Sequence, residues 1–251
     1  MQHRPWRMLI LVGLTWMSLG VASHSHAAIS DSEKTLFSEA MKANRSGNYF
    51  QAGEKLRHLI NIRPDWGLVY LQLGILELNI NPDPSVALSL LERATELLPS
   101  NPRAHFQLGM AHVSTGKCQK AMRHIGRAIE LRPKFAQAHQ ERAACHEVNG
   151  DLTQAIESLE TLLTLKKRNT AAMAELARLY ELTGKPALGE SKLRQLIEYE
   201  PRVYFHWLSL GYFLRRQGRE NEAQEAFNRA ERLRPRPQRK MRPLPRSSDL
   251  P

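Results

Sequence analysis

Residues 102–133 read PRAHFQLGMAHVSTGKCQKAMRHIGRAIELRP and contain two apolar patterns separated by a glycine. The apolar positions are Phe106, Leu108, Met110 and Ala111 before Gly116, and Ala121, Ile125, Ala128 and Ile129 after it. Spacing of this kind is typical of a helix with one buried stripe. The segment is therefore predicted to form two amphipathic helices that turn at Gly116.

The same unit recurs along the chain. Small residues mark one position of each first helix, at Ala40, Gly74, Gly109, Ala143, Ala177 and Gly211. A second series marks each second helix, at Ala52, Ala87, Ala121, Ala155, Gly189 and Ala223. Each step is 34 or 35 residues, a period typical of helical repeats. The sequence therefore predicts six copies of one helical hairpin.

Glycine and proline separate the helices. Five glycines fall where the two helices of a hairpin must turn, at Gly47, Gly116, Gly150, Gly184 and Gly218. Five prolines close units, at Pro64, Pro99, Pro133, Pro201 and Pro235. Glycine tolerates the positive φ of such turns, and proline stops a helix. At the start of the first helix, Ser30 and Glu33 form an S-x-x-E pattern that predicts a capping box.

These features resemble the tetratricopeptide repeat family, and the Leu-Gly pairs Leu73-Gly74, Leu108-Gly109 and Leu210-Gly211 belong to the resemblance. It implies an all-α fold over residues 28–235, an α-solenoid of six tetratricopeptide-like helical hairpins. The repeats are expected at about 33–64, 65–99, 100–133, 134–167, 168–201 and 202–235. Two residues depart from the pattern, because Lys167 replaces a closing proline and Gly189 replaces the usual alanine.

Residues 1–27 have the features of a signal peptide. Two arginines precede an apolar stretch from Met8 to Val21, and Ser25 and Ala27 fit the A-x-A-like cleavage rule. The apolar stretch is shorter than the roughly 20 residues of a spanning helix. We therefore expect cleavage and a periplasmic or secreted protein. The alternative is an uncleaved signal that anchors the chain in the inner membrane.

Much of the net charge of +11 lies near the ends of the chain. Residues 236–251 contain five basic residues, one acid and four prolines, a composition that predicts a disordered basic Pro-rich tail. The run is short and lacks interleaved aromatic residues, so no nucleic-acid partner is expected. Weak contact between the tail and an anionic surface is compatible with this composition.

The family resemblance implies that a peptide partner lies on the concave side, which the first helices line. The expected apolar groove residues are Phe37, Met41, Leu71, Ile75, Leu78, Phe106, Met110, Val113, Phe205, Leu208 and Tyr212. The fourth and fifth repeats place polar residues on the same side, among them Gln140, Glu147 and Arg178. Such a surface suits an amphipathic helix or an extended segment with apolar anchors. The alternative is that several of these side chains pack between repeats and contact no partner.

Cys118 and Cys145 are predicted to lie at adjacent ends of neighbouring antiparallel helices, within bonding reach. In an oxidising compartment they would form a disulfide; the alternative is two buried thiols that act as small apolar groups. His105, His112, His139 and His146 form two pairs with a spacing of seven. We interpret them as interhelical packing residues rather than metal ligands, because the spacing matches no zinc-finger pattern. No metal and no cofactor is expected.

No catalytic motif is present in the sequence: there is no G-x-S-x-G, no phosphate-binding glycine loop and no H-E-x-x-H. The chain is therefore not expected to be an enzyme. The leader and the repeats predict an exported protein–protein interaction scaffold that binds a segment of a bacterial envelope complex in its groove. The alternative function is attachment to an anionic polymer or lipid through the basic tail.

Overall fold

The computed structural model describes residues 28–235, and within that range the chain forms twelve α-helices and no strand. The helices are α1 (Asp31–Arg45), α2 (Tyr49–Ile62), α3 (Gly67–Ile80), α4 (Ser85–Leu97), α5 (Pro102–Ser114), α6 (Cys118–Leu131), α7 (Ala136–Val148), α8 (Leu152–Leu165), α9 (Thr170–Leu182), α10 (Pro186–Tyr199), α11 (Tyr204–Arg216) and α12 (Glu220–Leu233). Among these twelve helices, none combines the length and the hydrophobicity of a membrane-spanning segment. The predicted signal peptide and basic tail lie outside the described residues.

Each helix packs on its neighbours in sequence, which makes the fold an elongated stack. The closest packing joins the two helices of a hairpin, such as α5 with α6, and weaker packing joins each hairpin to the next, such as α6 with α7. In addition, α3 contacts α5 and α5 contacts α7. Ion pairs join α7 to α9 and α9 to α11, so the odd-numbered helices from α3 to α11 lie along one side of the stack, which we call the inner side. The prediction of an all-α solenoid built from helical hairpins is confirmed.

Glycine forms the turn in five of the six hairpins. Gly116 has a φ of 69°, and the amide of Lys117 beyond it donates to the carbonyl of His112 at 2.9 Å, which closes the end of α5. The turn between α3 and α4 contains no glycine and no residue with a positive φ, and it is stabilised instead by Asp83. Its carboxylate accepts hydrogen bonds from the backbone amide and the hydroxyl of Ser85, both at 2.9 Å.

The capping box at the first helix is confirmed. The Ser30 hydroxyl accepts the Glu33 amide at 3.2 Å, and the Glu33 carboxylate accepts the Ser30 amide at 2.6 Å. Arg63, at the end of α2, also donates to Glu33, with Nε at 3.0 Å from Oε1. The start of the first hairpin is thus joined to its end.

Small residues are required where paired helices come close together. A Cβ added at Gly74 would lie 2.7 Å from Leu91, and one added at Gly211 would lie 2.5 Å from the Phe227 ring. At Gly189 the nearest atom is backbone, because an added Cβ would lie 2.8 Å from the carbonyl oxygen of Ala177. This close approach explains why glycine occupies position 189, where the family usually has alanine.

We expect Gly189→Ala to lower the free energy of unfolding by about 1–3 kcal/mol, because α9 and α10 must separate to admit the methyl group. The matched control is Gly126→Ala in α6, where an added Cβ meets no atom within 4 Å. That variant should be stabilised by about 0.5–1 kcal/mol, since alanine is the better helix former. Urea unfolding of both variants checks the prediction, and equal effects would contradict it.

Candidate functional site

The inner side of the stack presents one side chain per repeat from the position that follows the small residue of each odd-numbered helix. The residues in this register are Met41, Ile75, Met110, Ala144, Arg178 and Tyr212. Each of them is partly or largely exposed. This register is the central row of the inner groove, and it changes from apolar to polar and back to aromatic along the stack.

Nine of the eleven residues expected in the groove are at least partly exposed, and two are not. The nine are Phe37, Met41, Ile75, Leu78, Met110, Val113, Phe205, Leu208 and Tyr212. The prediction is wrong for Leu71 and Phe106, which are buried. Leu71 packs in a core cluster with Leu91 and Leu108, and the Phe106 ring lies 4.8 Å from the ring of Phe135. Both side chains fill the space between repeats, so no partner can contact them directly.

The sixth repeat exposes an aromatic surface at one end of the groove. Phe205 is 60% exposed and Tyr212 is 45% exposed. The ring of Tyr212 lies 5.1 Å from that of Phe227, and the Arg215 guanidinium lies 5.0 Å from the centre of the Tyr212 ring. The combination of exposed rings and a guanidinium is common at protein interfaces.

Two cavities open along the inner face in the fourth to sixth repeats. One of about 250 Å³ lies between α7 and α9, and another of about 290 Å³ lies between α9 and α11. The first is lined by Gln140, Ala143, Ala144, Glu147, Leu159, Leu162, Ala171, Ala172, Glu175 and Leu179. Of its four alanines, only Ala143 was identified from the sequence, as a small residue at a helix contact, and the cavity itself was not predicted. The sequence feature that indicates this cavity is Ala144, the smallest residue in a register where other repeats have methionine, isoleucine, arginine or tyrosine.

Ion pairs cross the groove between these repeats. Arg178 on α9 donates to Glu147 on α7 and to Glu175 on its own helix. Arg216 on α11 donates to Glu181 on α9, with Nη2 at 2.7 Å from Oε2 and Nε at 2.9 Å from Oε1. The hydrogen bonds from Arg216 lower the pKa of Glu181, so this carboxylate is ionised at neutral pH. In the polar half of the groove, ion pairs therefore link α7 to α9 and α9 to α11.

The two cysteines lie together below the groove. The Sγ atoms of Cys118 and Cys145 are 3.0 Å apart, and both residues are buried free thiols in the structure. Burial is the main cause that raises the pKa of Cys145 to about 12. The thiol is thus protonated at neutral pH and is not a nucleophile. Formation of the disulfide stays a prediction.

The four histidines interpreted from the sequence as packing residues differ in exposure, and His105 is partly exposed. His112, His139 and His146 are buried, and the His139 ring nitrogen Nε2 lies 2.8 Å from the carbonyl oxygen of Pro133. Across residues 28–235, no three histidine, cysteine or acidic side chains are placed to hold a metal ion. A further histidine, His124 on α6, stacks between His105 and His112 with ring centroids 6.1 Å and 5.6 Å away.

We expect this histidine stack to make stability depend on pH. Burial, followed by repulsion from the neighbouring histidines and Arg123, lowers the pKa of His124 to about 4. Burial also lowers the pKa of His112. Because an unfolded histidine has a pKa near 6.5, the unfolded chain binds more protons between about pH 4 and 6.5. Stability is therefore lost as pH falls through this range.

The expected contribution of His124 is about 1 kcal/mol, after allowance for its partial exposure to solvent. The pKa of His112, which belongs to this stack, is also shifted by the charges of Lys120, Glu92, Lys117 and Arg123. Urea unfolding at pH 7 and pH 5 measures the effect, and His124→Gln should reduce the loss. The control His58→Gln changes an exposed histidine on α2. An equal reduction in both variants would contradict the prediction.

The fold and the groove place the chain in a class of proteins, the α-solenoids built from helical hairpins. A family profile described as Tetratricopeptide repeat matches residues 106–172 and 174–237. The chain therefore belongs to the tetratricopeptide repeat family, whose members bind peptide or protein partners.

Three solved structures show the similarity of fold. MamA is 21% identical, with a TM-score of 0.62 and coverage of 68% of this chain and 92% of MamA. YrrB, described as a TPR protein with an unusual peptide-binding site, is 16% identical, with a TM-score of 0.63 and coverage of 72% and 93%. PilW, described as a widely conserved type IV pilus biogenesis factor, is 17% identical, with a TM-score of 0.63 and coverage of 78% and 91%. A search of curated proteins found no match.

Proposed function

We propose that this chain is an exported, non-catalytic scaffold that holds a segment of a partner protein in its inner groove during assembly of a bacterial envelope complex. The observation that supports the binding site is the continuous inner face, with partly exposed apolar side chains in the first three repeats and two cavities in the last three. The predicted signal peptide favours export. The peptide-binding site of YrrB and the role of PilW in pilus biogenesis are compatible with this function.

A pair of matched substitutions tests the groove. Phe205→Glu places a charge on the exposed inner surface of α11. The control Phe50→Glu places a charge on α2, outside the groove, at a residue that is 74% exposed. A photo-crosslinking residue at Tyr212, with a control at Gln224 on α12, first identifies the partner in cells. We expect Phe205→Glu to weaken binding of the purified partner about tenfold and Phe50→Glu to leave it unchanged.

Two results would contradict the groove function. One is cross-linking from Gln224 as strong as that from Tyr212, and the other is equal binding by the two glutamate variants. Phe106 is unsuitable for this test, because a charge at that buried position would unfold the repeat. Export is tested separately, by N-terminal sequencing of protein from the envelope fraction, with Ala28 as the expected first residue.

A second candidate function is attachment to an anionic surface through the C-terminal region. Arg229 and Arg232 on α12 line a cavity of about 400 Å³ beside Trp207, together with Glu222 and Glu225, and the basic residues of 236–251 follow directly in sequence. Co-sedimentation with phosphatidylglycerol vesicles should be lost at high salt and after deletion of residues 236–251. If the deleted chain still binds vesicles, the tail is not the attachment site.

A further inference from the structure

The inner groove contains a cavity at the repeat whose residue in the central register has the shortest side chain. In the central register of the groove, Ala144 has only a methyl group, whereas Met110 precedes it and Arg178 follows it. The cavity between α7 and α9 lies beside Ala144 and has a volume of about 250 Å³. We call it the alanine socket, lined by Ala143, Ala144, Ala171 and Ala172, with Leu159, Leu162 and Leu179 beneath them.

The interior of the alanine socket is apolar and open to the groove. Leu159, Leu162 and Leu179 are buried, while Ala144 and Ala171 are exposed at its sides. For comparison, an apolar cavity of about 150 Å³ in another protein accommodates benzene. The socket is therefore large enough for one aliphatic side chain of a ligand, which would cover apolar surface that is now in contact with water.

The rim of the alanine socket contains more negative than positive charge. Glu147 and Glu175 lie at the rim, and both accept hydrogen bonds from the single guanidinium of Arg178. The nearby Glu175 carboxylate, together with burial, raises the pKa of Glu147, which indicates that the two carboxylates are crowded. A second cation at the rim would relieve this repulsion.

We propose, on the basis of the groove function above, that the alanine socket binds an extended peptide of a partner through a leucine or methionine with an arginine or lysine two positions away. In an extended chain, side chains two residues apart point to the same side. When the aliphatic side chain enters the socket, the basic side chain faces the rim and pairs with Glu147 and Glu175. The socket thus selects an aliphatic–x–basic motif within a longer bound segment.

Peptide titrations monitored by alanine-methyl NMR test this assignment. The full mature chain, labelled at alanine methyl groups, is titrated with three otherwise identical Gly/Ser peptides that contain Leu-Gly-Arg, Ser-Gly-Arg or Leu-Gly-Glu. We expect saturable shifts at Ala144 and Ala171 with the Leu-Gly-Arg peptide, and at least about fivefold weaker binding of the other two. If Leu-Gly-Glu binds as tightly as Leu-Gly-Arg, the charge selection is wrong.

Substitutions locate the peptide in the socket. Ala144→Met restores a side chain that the third repeat has in the same register, and it should weaken Leu-Gly-Arg binding about tenfold. The matched control is Ala187→Met, at an exposed position of α10, and it should bind as the wild type does. Glu147→Gln with Glu175→Gln should remove most of the preference for arginine over glutamate. Unchanged binding by Ala144→Met would overturn the assignment.

The chain itself contains a competing occupant, the sequence Arg-Pro-Leu-Pro-Arg at residues 242–246. If Leu244→Ser alone shifts the methyl signals of Ala144 and Ala171 with no peptide present, the tail occupies the socket and the partner assignment is wrong. The groove function is judged separately by Phe205→Glu and Phe50→Glu. If those variants differ in partner binding while the peptides leave the socket methyls unmoved, only the socket inference fails.

Discussion

Oxidation of Cys118 and Cys145 to a disulfide is expected to raise the free energy of unfolding by about 3–4 kcal/mol, a value that the chain-entropy model gives for a loop of this length. The two residues are 27 positions apart, and their sulfur atoms already lie side by side. In the reaction, the thiols lose two protons and two electrons to a disulfide oxidant such as oxidised glutathione. The bond would join α6 to α7 and hence the third repeat to the fourth.

Urea unfolding of the oxidised and reduced chains measures this effect. Both thiols are buried, and burial raises the pKa of Cys145 to about 12, so oxidation should be slow and should accelerate when α6 and α7 open transiently. The double variant Cys118→Ala, Cys145→Ala should have the same stability in oxidising and reducing buffer. A wild-type chain that is equally stable in both buffers, with the bond proved by mass spectrometry, would contradict the prediction.

Loss of the Phe213 side chain is expected to have an effect at least as large. Phe213 is only 2% exposed and belongs to the core cluster that includes Leu193 of α10 and Leu210 of α11. Its ring would lie 3.1 Å from a Cβ added at Gly189, so it fills the space between α10 and α11. Phe213→Ala should lower the free energy of unfolding by about 3–5 kcal/mol, as is usual for a buried phenylalanine.

The Phe213→Ala variant should also lose stability in particular helices rather than along the whole stack. In a stack where each repeat contacts its neighbours, stability is roughly a sum of repeat and interface contributions. Hydrogen exchange should therefore accelerate in α11 and α12 of Phe213→Ala, while α5 and α6 keep their protection. The control Phe205→Ala removes an exposed ring and should change stability by no more than about 0.5 kcal/mol. Uniform loss of protection across all helices would show that the stack unfolds as one unit.

The features predicted best from the sequence are those fixed by the backbone. Gly116 could be assigned to a turn because its positive φ excludes most other residues. Ser30 and Glu33 could be assigned to a capping box because both partners are local in sequence. Gly74 could be assigned to a helix contact because no larger residue fits there. Each of these conclusions needs only a short segment and one physical rule.

The groove could be predicted only in part, because the exposure of a side chain depends on which residues of neighbouring repeats pack against it. Phe37 and Phe106 occupy the same register, yet Phe37 is partly exposed while Phe106 is buried against Phe135. The period is identical for both, so it cannot distinguish them. The alanine socket was missed for a different reason. Apolar side chains can be identified directly in the sequence. The socket instead exists because Ala144 has a short side chain where other repeats have a longer one.

The bridges from Arg178 to Glu147 and from Arg216 to Glu181 have a consequence for the shape of the whole stack. They join successive inner helices in the last three repeats, where curvature is set by the spacing of α7, α9 and α11. Partly exposed ion pairs weaken as ionic strength rises. We therefore expect the superhelical pitch of this half to change with ionic strength.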